Sequence, residues 1–248
     1  MAEKIAFITG GNRGIGYHTA QQLGSQPGIK VVIGSRDLAQ GQKTVAKLRE
    51  AGADVDVLQF DITKTADYQA AYDYFDSNYG RLDILINNAG IAGGTFPGTG
   101  PEHNAADVPL DLLHRVFETN FFAPVALTEK LLPLIRKSPA GRIVNLSSIL
   151  GSLSLHADPN SPIYHAKSFS YDASKSALNA FTIHLAYELR DTKNKVNSAH
   201  PGWVKTDMGG DQAPMEQEDG AKTSVALATL PDDGPTGAYI HLGKPLPW

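Results

Sequence analysis

Thr9-Gly10-Gly11-Asn12-Arg13-Gly14-Ile15-Gly16 follows directly on the short apolar run Lys4–Thr9, and its reading decides the fold. Glycines so placed let a strand turn tightly into a helix and bring the backbone close to a ligand. The helix N–H groups and the positive end of its dipole then face the phosphates of a dinucleotide. The spacing is GxxxGxG, which differs from the GxGxxG of the standard dinucleotide fingerprint. A glycine-rich turn used only for packing is the plainer alternative, and the placement after a first strand counts against it.

Working outward, strand-like runs recur at Lys4–Thr9, Lys30–Gly34, Asp54–Gln59, Asp83–Ile86, Gly141–Leu146 and Lys195–His200, with helical patterns between them. Alternation of this kind predicts a doubly wound α/β fold of Rossmann type, a parallel sheet with helices on both faces. Ile84-Leu85-Ile86 and Ile143-Val144 lack polar alternation, as central strands buried on two sides do. A length of 248 residues fits one domain spanning 1–248. Two irregular stretches, Ile91–Pro109 and Gly151–Ser170, together with Met208–Gly220, are expected to shape a substrate pocket.

The net charge of -4 supplies no basic field for nucleic acid. No cysteine is present, so disulfides, thiolate metal sites and a thiol nucleophile are excluded, and no metal site is expected. The N-terminal residues carry neither the apolar core of a signal peptide nor a spanning run, so cytoplasmic residence without membrane attachment is the expectation.

A second stretch, Tyr171-Asp172-Ala173-Ser174-Lys175, sets a phenol and an ammonium four residues apart, on one face if the segment is helical. A nearby ammonium favours the ionised phenol and lowers its pKa, so the pair suits proton transfer. YxxxK alone is common on amphipathic helices. With the glycine loop, Asn87-Asn88-Ala89-Gly90 and Ser148, however, it resembles the short-chain dehydrogenase/reductase superfamily along nearly the whole chain.

That resemblance implies a catalytic set of Asn120, Ser148, Tyr171 and Lys175. Tyr171 would protonate a carbonyl oxygen, Lys175 would tune the phenol and hold the nicotinamide ribose, Ser148 would orient the substrate, and Asn120 would hold a relay water. It also implies cofactor contacts from Gly10, Asn12, Arg13, Gly14, Ile15 and Gly16, and from Asp61, Ile62, Asn87, Ala89 and Gly90. Pro201, Gly202, Val204 and Thr206 complete them at the carboxamide end, beside Tyr171 and Lys175. Asn88 has a structural reading as a fixer of backbone. At the end of the second strand, where an acid would bind the ribose hydroxyls of NAD, stands Ser35, followed by Arg36. A small hydroxyl and a guanidinium accept a 2′-phosphate, with Arg13 as a second charge, which favours NADP(H). The alternative has Arg36 solvated and Asp37 capping the next helix.

Ser35-Arg36-Asp37, Thr119-Asn120-Phe121-Phe122 and Pro201-Gly202-Trp203-Val204 are most similar to the carbonyl-reductase-like branch. Tyr171 follows Ser148 by 23 residues, a loop longer than most members carry and shorter than in monomeric carbonyl reductases, and both monomer and homodimer stay open. Trp203 and Met208 read equally as substrate contacts or as packing. The loop histidines His156 and His165 read as solvated groups the chemistry does not need. The expected activity is NADPH-dependent reduction of an aldehyde or ketone. Its rivals are an NAD-dependent alcohol dehydrogenase and a catalytically inert NADP(H) sensor.

Overall fold

The computed structural model describes residues 3–93 and 105–248. Its sheet runs in the order β3-β2-β1-β4-β5-β6-β7-β8. These strands are β1 Lys4–Thr9, β2 Ile29–Ser35, β3 Val55–Gln59, β4 Ile84–Asn87, β5 Arg142–Leu146, β6 Lys195–Ala199, β7 Tyr239–His241 and β8 Lys244–Pro245. All neighbours pair in parallel except β7 with β8. The doubly wound α/β expectation therefore holds. The last two strands were not expected, since runs of three and two residues carry no readable alternation.

Alternation along β1 builds both faces. Ile5 and Phe7 join one apolar cluster with Phe75, Leu127 and Leu185, whereas Ala6 and Ile8 join the other with Leu23, Leu48 and Leu227. Helices α3 (Thr65–Tyr79), α5 (Ala123–Arg136) and α7 (Phe169–Glu188) cover the first face. Helices α1 (Gly14–Gly24), α2 (Leu38–Glu50) and α8 (Gln217–Ala228) cover the second. A further helix, α4 (Leu110–Phe117), runs into a π-helical turn over Glu118–Phe122, and a short α6 spans Leu153–Ala157. Strand order reverses between β1 and β4, so a crevice opens beyond their carboxyl ends, where open α/β sheets bind ligands. Among the described residues, no helix is long and apolar enough to cross a membrane.

Candidate active site

The crevice is a cleft of about 890 Å³. At its floor the glycine loop passes from β1 into α1, with Gly10 and Gly14 at φ of +64° and +58°. Gly16 is required by proximity: a Cβ there would lie 2.5 Å from the Gly10 carbonyl oxygen and 2.6 Å from Asn88 Nδ2. Asn88 is the brace of this turn. Its Nδ2 donates to the carbonyls of Thr9 and Gly10 at 2.8 and 3.2 Å, while Thr9 Oγ1 accepts from the N–H groups of Asn88 and Ala89.

Every expected cofactor residue lines this cleft except Asn87. The Asn87 side chain turns into the sheet, where its Nδ2 donates to Thr128 Oγ1 at 3.0 Å and Asn145 Oδ1 at 2.8 Å. At the far end, the Ser35 hydroxyl is buried and donates to the Asp37 carbonyl at 2.7 Å, and Asp37 caps α2 by accepting from Gln40 N–H at 3.0 Å. Arg36 is exposed on the cleft wall. Burial would raise the Asp61 carboxyl, yet hydrogen bonds from Thr63 and the charges of Arg36 and Lys64 hold it below the usual range. Arg13 forms an ion pair with Asp207, a bridge between the glycine loop and the segment after β6.

Beyond β5, Ser148 caps a single 3₁₀ turn over Ile149–Gly151 by accepting from Leu150 N–H at 3.2 Å. A Cβ on Gly151 would lie 2.9 Å from the Lys175 carbonyl carbon, so glycine lets α7 press against this turn. On α7, Tyr171, Ser174, Lys175, Leu178, Asn179, Thr182 and Leu185 form one buried stripe at helical spacing, which aims the phenol and ammonium inward. The two groups do not behave as a simple ion-stabilised pair. Burial pushes the Tyr171 phenol up to about 12, against a hydrogen bond with Ser148 that favours ionisation. Lys175, lowered to about 8 by burial, sits 5.5 Å from the centre of the Tyr171 ring and donates to the Leu146 carbonyl at 2.7 Å. Desolvation outweighs the expected lowering of the phenol.

Asn120 stands behind the cleft wall and not on it. Its amide clamps the backbone of Ile91, accepting from N–H and donating to the carbonyl at 2.8 Å each, and also donates to Ser174 Oγ at 3.0 Å. Its place in the π-helical turn is what swings it toward Ile91.

The expected pocket segments contribute unequally. Of Ile91–Pro109, residues 94–104 lie outside the described residues, and Ile91 lines the cleft. No residue of Gly151–Ser170 lines it; Leu155, Ile163 and Ala166 instead pack with Leu150 against Tyr171, and Leu153 is exposed. Met208 both lines the cleft and joins that apolar group, while Trp203 donates to the Gly209 carbonyl at 2.8 Å from the rim. His156 is not simply solvated: it bonds the Leu150 carbonyl and Lys167 Nζ at 2.9 Å each, tying the insertion down. Arg115 and Gln217 line the cleft as well, marked by no local motif. No group of three or more His, Cys, Asp or Glu side chains able to hold a metal occurs among the described residues.

Comparison with known proteins agrees with this geometry. A family model described as short chain dehydrogenase matches residues 4–217. A Mus musculus protein named carbonyl reductase (NADPH) 1 is 32% identical, with 98% of each chain covered. Among solved structures, an NADPH-bound carbonyl reductase from chicken fatty liver superposes with a TM-score of 0.83 at 26% identity over 100% of each chain. Salutaridine reductase from Papaver somniferum gives 0.81 at 30% identity, covering 96% of this chain and 99% of its own. Match and fold extend over the glycine loop, the Ser148 turn and α7 together, and this chain belongs to the short-chain dehydrogenase family, among its carbonyl-reductase-like members.

Proposed function

We propose that this protein reduces an aldehyde or ketone to an alcohol with NADP(H), and that Tyr171 delivers the proton. The observation that carries the reading is the Tyr171 phenol, hydrogen-bonded with Ser148 at the end of the cleft and kept in its acid form by burial. A dinucleotide fits the cleft on its own geometry, since a Cβ at Gly16 would fill the cradle beside Gly10 and Asn88 that a pyrophosphate approaches. When bound, the cofactor supplies the hydride.

The chain's own residues manage the oxygen. Ser148 and Tyr171 hold the carbonyl oxygen by hydrogen bonds, and the neutral phenol gives its proton as negative charge grows there. Lys175 spends one of its three N–H donors on Leu146 and keeps two for a ribose hydroxyl and the phenol. Arg36 meets the 2′-phosphate by charge and hydrogen bonding, supported by the names of the NADPH-dependent relatives. Asn120 holds Ile91 in place at the wall, beside Gly90 and Lys175.

The test is the oxidation of NADPH and NADH, side by side, by purified protein over aldehydes, ketones, α-diketones and quinones. Turnover with a strong NADPH preference supports the proposal. Preference for NAD with alcohols would favour the oxidative dehydrogenase, and tight NADPH binding with no turnover would favour a sensor.

A further inference from the structure

We propose that His200 is a positioning residue that locks the Ser148 turn and the Pro201-Gly202 turn to each other across the ends of β5 and β6. The inference rests on the carbonyl-reducing reading of the cleft. His200 follows the last residue of β6 and is buried behind the cleft wall. Its Nδ1 accepts from the Ile149 N–H at 3.1 Å and the Gly202 N–H at 3.4 Å. Both donors lie past the end of the parallel ladder, whose last bond here runs from Ser147 N–H to the Ala199 carbonyl at 2.8 Å. One ring nitrogen thus shares its lone pair between two N–H groups that no strand partner reaches, the closer one belonging to Ile149.

The two loops matter for different halves of the site. Ile149 adjoins Ser148, so its N–H sets the turn that aims the Ser148 hydroxyl at Tyr171. Gly202 opens the segment that walls the cleft through Val204 and Thr206. That segment has little freedom of its own: Gly202 is held at φ +95°, and a Cβ there would fall 2.1 Å from Met215 Sδ.

Accepting twice at Nδ1 requires a neutral ring protonated at Nε2. Burial, reinforced by His241, lowers His200 to about 3, so the ring stays neutral across the physiological range. The His241 ring lies 4.7 Å away, centre to centre, and its Nδ1 meets the His200 carbonyl at 2.9 Å. The two rings pack together at the ends of β6 and β7.

Three variants test the role: His200→Asn, whose amide oxygen replaces Nδ1, His200→Gln, whose oxygen lies one bond too far, and His200→Leu, which has no acceptor. With the carbonyl that the wild type reduces best, Asn should keep kcat within about threefold, whereas Gln and Leu should lose about tenfold or more with carbonyl KM nearly unchanged. Full kcat in the Leu variant, or in Gln if Leu fails to fold, overturns the role, as does an Asn variant as slow as the others. If the wild type reduces no carbonyl, the reading of the cleft fails. The lock is then judged by amide hydrogen exchange, expected slow at Ile149 and Gly202 in wild type and Asn and fast in Gln and Leu; fast exchange in all four would overturn it.

Discussion

The Lys175 ammonium donates a 2.7 Å hydrogen bond to the Leu146 carbonyl, fastening the buried face of α7 to the last residue of β5. Its pKa is lowered by burial from 10.5 to about 8. Because the folded value lies below the unfolded one, the native state binds fewer protons between those limits. The cost to stability is therefore full below pH 8 and fades as pH rises toward 10.5. Lys175→Met should raise Tm at pH 7 by a few degrees, about 2–4 °C per kcal/mol recovered, and the gain should shrink by pH 10. Thermal melts across that range check it. A lower Tm at pH 7 would mean that the bond to Leu146 outweighs the buried charge.

Tyr171→Phe removes the proposed proton donor while leaving the buried ring in place. Turnover should drop by a factor on the order of 100 or more, with NADPH binding, followed by nucleotide fluorescence, close to wild type. The phenol is held up to about 12 by burial, so its own ionisation should cause no loss of reduction below pH 10. An alkaline decline near pH 8 would belong to Lys175 and should move upward in Lys175→Arg, whose guanidinium stays charged.

Much of this was legible in the sequence, for physical reasons that differ by residue. Apolar runs such as Ile84-Leu85-Ile86 announce buried parallel strands because both faces are covered, and Gly16 announces the cradle because only a missing Cβ fits beside Gly10. Tyr171 and Lys175 share a face because a helix repeats every 3.6 residues. What local spacing lacks is the direction of side chains set by distant partners. Asn87 turns into the sheet and Asn120 braces the cleft wall from behind, because their hydrogen-bond partners, Asn145 and Ile91, are remote in sequence. The phenol's upward shift likewise depends on how tightly Leu150, Ile163 and Met208 close around Tyr171.

Arg36 is exposed on the cleft wall, while the neighbouring Ser35 hydroxyl is already donated to Asp37. Under the proposed function, Arg36 carries the larger share of the discrimination between NADPH and NADH. Arg36→Ala should raise KM for NADPH about tenfold and leave that for NADH within about twofold. Equal changes for both cofactors would remove the 2′-phosphate from the assignment. Ser35→Ala should have the smaller effect on the NADPH/NADH ratio.

Arg13 and Asp207 join the glycine loop to the segment after β6, with side chains 70% and 80% exposed. Solvent and salt screen such a pair, so Asp207→Asn should change stability by less than about 1 kcal/mol. If Arg13 meets a phosphate of the dinucleotide, Asp207 competes with it for the Arg13 charge. Freed of that competitor, the variant should bind NADPH about two- to fivefold more tightly at low ionic strength, with the gain lost at high salt. Titration of nucleotide fluorescence at two salt concentrations checks both parts. Weaker binding at low salt would show instead that Asp207 helps to hold the loop over the dinucleotide.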